Sequence, residues 1–148
     1  MARLKSVAFW AIPLAALLAI IPCLSTKAAD LSVVVTGLRS GNGDVHIAIY
    51  DRADAFPESE GMVSEVKVPI QDRHARFVFK NLPPAFYAVA VYHDENANHD
   101  FDTGVLGIPL EGYAFSSGAR VFLGPPSFED AKFALPAEGA ETVIPITY

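Results

Sequence analysis

Cysteine is nearly missing from this chain. Its single copy, Cys23, lies in a leader-like segment. Without that segment the chain has no thiol, so disulfides are unavailable even if the protein is exported to a compartment that permits them. The fold must then be held by its core, with a bound metal as the other available staple. Basic residues are also scarce. Positions 1–29 hold three of the eleven Lys and Arg residues and none of the seventeen acidic ones, so the remainder carries a net charge of −9. That balance argues against nucleic acid and against anionic membrane surfaces. It favours cations, basic partners or simple solubility. A long apolar run is missing too. Val7 to Pro22, broken by Pro13, falls short of the roughly 20 residues that span a bilayer. No glycine-rich phosphate loop, internal repeat, linker or low-complexity tract is present.

What is present begins with a three-part leader. Arg3 and Lys5 give a positive start, the apolar run follows, and small residues lead to Ala28 and Ala29. This is the pattern of a secretory signal peptide over residues 1–29, with cleavage expected before Ala29 or Asp30. A retained anchor is the structural alternative. Lipidation at Cys23 is disfavoured because Pro22 stands where a small residue is needed. The expected location is periplasmic or extracellular, with no membrane span after cleavage. Residues 30–148, about 119 in all, suffice for one domain with a real core.

Strand signals dominate that domain. Leu31–Leu38 is β-branched, and Val45–Tyr50 places Val45, Ile47 and Ile49 on one face. The Ser40-Gly41-Asn42-Gly43-Asp44 cluster between them reads as a hairpin turn. Further strands are expected over 63–70, 75–79, 86–92, 119–123 and 141–148, the last at a sheet edge because of Pro145. Pro83 and Pro84 form a hard stop between two of them. Tyr87, Val89 and Val91 should share a buried face with Ile47, Ile49, Phe77 and Phe79. Residues 103–117, with three glycines and a proline, read as a long ordered loop. Ser127 can cap a single helical turn, with Asp130 three residues on. The expected fold is an all-β, antiparallel β-sandwich of about seven strands.

The chemistry-bearing segment is Asp94-Glu95-Asn96-Ala97-Asn98-His99-Asp100-Phe101-Asp102. Oxygen-bearing side chains fall at every second position: Asp94, Asn96, Asn98, Asp100 and Asp102. A hard cation such as Ca²⁺ takes six to eight oxygen ligands, and such a loop supplies several. The plainer reading is a solvated turn, since Asp and Asn bond their own backbone. Ca²⁺ is accordingly the expected cofactor, on those five residues. The loop is no EF-hand: the sixth position is His99 rather than glycine, and the twelfth is Val105 rather than glutamate. His93, His99 and Asp94 suggest a transition-metal site, but no His-x-x-x-His pair supports it. His46 and His74 read as surface residues. Ser116 lacks the glycine two residues before it that a nucleophile elbow needs. No catalytic or cofactor-binding residue is assigned. Tyr113, Phe115, Phe122, Phe128 and Phe133 form either a small core beneath the long loop or a ligand surface.

Three runs in order, Phe77–Asn96, Gly107–Ser116 and Phe122–Phe133, resemble the DUF2141 family of small exported bacterial proteins. The resemblance covers nearly all of residues 30–148 and implies a secreted β-domain. Members of that family usually carry Gly-Asn-Gly where this chain has Ala97, Asn98 and His99. The strand–Leu-Pro-Pro–Tyr-x-Val unit is also similar to prealbumin-like and carboxypeptidase-regulatory-like sandwiches, which commonly serve as accessory or binding modules, so the expected sandwich is prealbumin- or immunoglobulin-like. The expected function is therefore non-enzymatic binding or scaffolding in the cell envelope, with a protein or glycan partner of unknown identity. The alternative is an enzyme or enzyme accessory domain acting on envelope carbohydrate or peptide.

Overall fold

A computed structural model describes residues 27–122 and 124–148. The positive start and apolar run of the expected leader lie outside the described residues. The protein is all-β as expected, with eight strands among the described residues rather than seven. They are β1 (Ala29–Thr36), β2 (Asp44–Tyr50), β3 (Ser64–Pro69), β4 (Ala75–Leu82), β5 (Ala85–Asp94), β6 (Gly112–Phe115), β7 (Phe133–Leu135) and β8 (Ala140–Pro145). One sheet has the order β4-β1-β8. The other runs β3-β2-β5-β6, with β7 joined to β5. Among the described residues, no helix is long and apolar enough to cross a membrane.

The expected hairpin between the first two runs does not form. β1 pairs with β4 and β8, whereas β2 pairs with β3 and β5. The reason is that both runs carry an apolar face. Leu31, Val33 and Val35 of one sheet bury against Val45, Ile47 and Ile49 of the other, in a single hydrophobic cluster. Facing each other removes more apolar surface from water than lying edge to edge. The chain between them crosses from sheet to sheet, and Leu38 is buried on the way. Pro83 and Pro84 mark a second crossing. They cannot donate to a ladder, so β4 ends in one sheet and β5 begins in the other.

Two further expectations change. Gly112–Phe115, inside the expected loop, is β6; it pairs with β5 from Ala90↔Phe115 to His93↔Gly112. Residues 119–122 form no strand. Nor is the pairing wholly antiparallel, because β8 runs parallel to β1. As expected, β8 lies at an edge. The short helix α1 (Phe128–Ala131) is capped as expected, the Ser127 hydroxyl accepting the Asp130 N–H at 3.2 Å.

The predicted face of β5 is the buried one. Tyr87, Val89 and Val91 join Ile47, Ile49 and Phe79 in the cluster, with Phe77 packed against it. Val89 is wholly buried. Val89→Ala should cost about 1–3 kcal/mol, from lost transfer energy plus a cavity. Chemical denaturation checks this; an unchanged midpoint would mean that the site tolerates the cavity.

Candidate functional site

The alternation that buries Val45, Ile47 and Ile49 turns His46, Ala48 and Tyr50 to the other face of β2. That outer face is not solvated. His46, Ala48 and Tyr50 are all buried. In β5, Ala90 stands opposite Ala48 and Tyr92 opposite His46. The two alanines leave room, and larger residues surround them. The result is a half-open cleft of about 980 Å³ on the outer face of the five-stranded sheet.

Aromatic rings run along this face in a chain. The His46 and Tyr92 rings stack with centroids 4.3 Å apart, Tyr92 meets Phe101 at 5.4 Å, and Phe101 meets Tyr113 at 6.0 Å. Tyr113 then reaches Phe115, and Phe56 joins Phe115 to Phe128. The aromatics of the C-terminal half divide between two places. Phe128 belongs to a small second core with Ala48, Tyr50, Ala88 and Ala131, while Tyr113 and Phe115 line the cleft. Phe122 is exposed. Ser116 is structural: its buried hydroxyl donates to the Ala131 carbonyl at 2.6 Å and accepts the Val89 N–H at 2.8 Å.

The acidic loop closes one end of the cleft. Asp94 ends β5 and is completely buried. Its Oδ1 accepts the Asn98 N–H at 3.1 Å, and its Oδ2 accepts the His99 N–H at 2.8 Å. Burial alone would push its carboxyl up, but the N–H groups of His99, Asn98 and Ala97 hold it below the usual range. Asn96 Oδ1 accepts the Asn98 N–H, and Asn98 Oδ1 accepts the Asp100 N–H. Both asparagine amides donate to the Asp102 carboxylate. Four of the five predicted oxygen-bearing residues thus already bond to partners inside the loop, and Asp100 lines the cleft. Ala97 and His99 have φ of +56° and +72°, the left-handed conformation that glycine adopts most easily. These are two of the positions where the resemblance implies glycine.

Sequence reading missed His46. It is buried, not superficial, and its Nε2 lies 3.6 Å from Asp94 Oδ2. His99 Nδ1 lies 3.6 Å from the same oxygen. His46, Asp94 and His99 each bring one ligand atom within 4.8 Å of the others, and Asp94 is the one predicted aspartate in the group. His93, expected beside it, is turned away by strand alternation. It bonds the Tyr148 hydroxyl at 2.6 Å and the Asn42 carbonyl at 2.8 Å. His46 was findable only from the β2–β5 register, which sets it diagonally across from Asp94.

A family model described as an uncharacterized protein conserved in bacteria (DUF2141) matches residues 33–144. The chain belongs to the DUF2141 family. No curated protein and no solved structure matches it.

Two residues of this DUF2141 domain hold the loop in place without belonging to it. Glu111 is buried, and its two carboxylate oxygens accept the N–H groups of Glu95 and Asp102, each at 3.2 Å. It therefore ties both ends of the loop together. Its pKa is raised, by burial first and also by the Asp94 and Asp102 charges, although the two N–H groups oppose this. Arg39 grips Glu95 from outside and brings that carboxyl down to about 2. Beside the cleft, burial and then the Glu65 and Asp94 charges push the Tyr92 phenol well up, so it stays neutral.

Proposed function

We propose that this DUF2141 protein is an exported, non-enzymatic binding module that works through the aromatic cleft. The fold reading that accompanies the proposal is a prealbumin- or immunoglobulin-like sandwich. Export rests on the leader pattern of residues 1–29. The observation that carries the binding role is the outer face of the five-stranded sheet. An antiparallel sheet with one face on the core commonly turns polar side chains to water on the other. Here that other face presents Ala48, Ala90, Tyr92, Tyr113 and Phe115 around a cleft of about 980 Å³. That volume is at the upper end of the range for small-molecule sites, roughly 300–1,000 Å³. Leu106, Ile108 and Val121 add exposed apolar surface at the rim.

The lining also sets the ligand class. Glu65 and Asp100 contribute to it, and among the described residues neither Lys nor Arg does. The occupant is then a neutral or cationic molecule with an apolar or ring-bearing body, a class that includes glycan and peptide segments. Ca²⁺ on the alternating oxygens of Asp94, Asn96, Asn98, Asp100 and Asp102 is the competing occupant of the rim, exclusive of any other metal on Asp94.

Ala90→Leu tests the role of the cleft. It adds a side chain to the cleft floor on the face away from the main core. The neutral fluorophore N-phenyl-1-naphthylamine should brighten with the wild-type protein, and the variant should bind it at least tenfold more weakly at an unchanged melting temperature. Equal binding by the two proteins would remove the cleft as the site.

A further inference from the structure

We propose that His46, Asp94 and His99 form a three-ligand site for a divalent first-row transition metal, with Zn²⁺ as the reference ion, at the polar end of the cleft. The metal site stands independently of the binding role argued above. Only the use made of its open coordination position rests on that reading.

The spacing comes first. His46 Nε2 and His99 Nδ1 each lie 3.6 Å from Asp94 Oδ2. Two ligand atoms at ordinary bond lengths from one tetrahedral Zn²⁺ are about 3.3–3.5 Å apart. The two Asp94 edges need shifts of a few tenths of an ångström to close on an ion, and the His46–His99 edge, within 4.8 Å, closes by up to about 1.4 Å. His99, on an exposed loop, can supply them.

His46 provides the second, independent observation. Its side chain is 3% exposed, and among the described residues its Nε2 has no hydrogen-bond partner. The ring's other nitrogen is well served: Nδ1 lies 3.0 Å from Glu65 Oε1 and 2.8 Å from the Tyr92 hydroxyl. A proton on Nδ1 shared with the Glu65 carboxylate leaves Nε2 as a bare lone pair. That lone pair faces a buried carboxylate oxygen, and 3.6 Å is too long for a hydrogen bond. A cation between the two satisfies both. Carboxylate, then histidine, then metal is also the arrangement by which ligating imidazoles are usually oriented.

Asp94 is prepared in the same way. The N–H groups of Asn98 and His99 fix its carboxylate, and Oδ2 keeps a second lone pair for an ion. The donor set is two imidazoles and one carboxylate. Imidazole suits Zn²⁺, Cu²⁺, Ni²⁺ and Fe²⁺, whereas Ca²⁺ and Mg²⁺ take oxygen. Three protein ligands also leave a fourth position, as in zinc sites that bind a further molecule. His46 and His99 both line the cleft, so that position opens into it. A cleft ligand carrying a nitrogen or oxygen donor beside its apolar body could complete the coordination.

The test is calorimetric titration of the chelator-stripped protein with Zn²⁺, paired with Co²⁺ absorption spectroscopy. One Zn²⁺ per chain at micromolar Kd or tighter is expected, and Co²⁺ should give the intense visible bands of four-coordinate geometry. His99→Gly removes an exposed ligand and relaxes a left-handed backbone position, so the variant folds. It should bind Zn²⁺ at least thirtyfold more weakly and lose the Co²⁺ bands. Glu65→Gln, which touches no ion, should weaken Zn²⁺ roughly 10–100-fold through His46 orientation. Absence of Zn²⁺ binding, or Zn²⁺ binding unchanged in His99→Gly, would overturn the site. A protein that responds to Ca²⁺ alone, more tightly in His99→Gly, would also overturn it in favour of the oxygen loop. Retained metal binding in Ala90→Leu, with the fluorophore lost, would separate this site from the cleft reading.

Discussion

Gly43→Ala should cost roughly 3–5 kcal/mol, a large share of the 5–15 kcal/mol by which a domain is normally stable. Two effects add. Gly43 has a φ of +65°, where a side chain costs about 1–2 kcal/mol. A Cβ there would also stand 1.8 Å from the Asp94 carbonyl oxygen and 2.8 Å from its carbon. Both are backbone atoms, so the clash cannot be relieved by a rotamer change. The 40–44 turn or the end of β5 must move, and Asp94 moves with the latter. Gly41→Ala is the matching control, because a Cβ at Gly41 meets nothing within 4 Å. Thermal and urea unfolding of the two variants should show a large loss for one and almost none for the other. Equal melting temperatures would mean that the turn does not pack on Asp94 as described.

Removing the Glu111 carboxylate should have the next largest effect. Glu111→Ala strands the N–H groups of Glu95 and Asp102, which the carboxylate accepts from a buried position. A hydrogen bond to a charged group contributes about 1.5–3 kcal/mol, and each buried donor left alone costs about 1–3 kcal/mol. Relief of repulsion from Asp94 and Asp102 offsets part of this. The net loss should be roughly 2–4 kcal/mol. Glu111→Gln should fall between wild type and Ala, since its amide can accept only one of the two N–H groups and turns a donor toward the other. Amide hydrogen exchange should show faster opening across residues 94–102 in both variants. Protection equal to wild type would remove Glu111 as the tie between the loop ends.

Local chemistry was legible in the sequence where it depended on neighbours along the chain. Ser127 as a cap, Pro145 at an edge, Pro83-Pro84 as a break and the Tyr87/Val89/Val91 face all follow from spacing within a few residues. Strand partners did not follow. The Gly-Asn-Gly turn at 41–43 resembles a hairpin signal, but its glycine with positive φ serves close approach to Asp94 rather than pairing of β1 with β2. β6 was hidden by its own first residue, Gly112, which makes room for the Tyr148 ring, and by Gly118 three residues past its end. The candidate site shows the same division. The alternating oxygens of 94–102 are visible in the sequence; the partners they choose are not. His46 becomes significant only through a pairing 46 residues away with Tyr92, and Glu111 only through the fold-back of the 103–111 segment.

The most direct test of the outer face as the working surface is methyl NMR of the protein titrated with N-phenyl-1-naphthylamine. The Ala48 and Ala90 methyl signals should shift in a saturable way. That of Ala75, buried on the other sheet, should not. Shifts confined to the β4-β1-β8 sheet, or spread evenly over both sheets, would contradict the account.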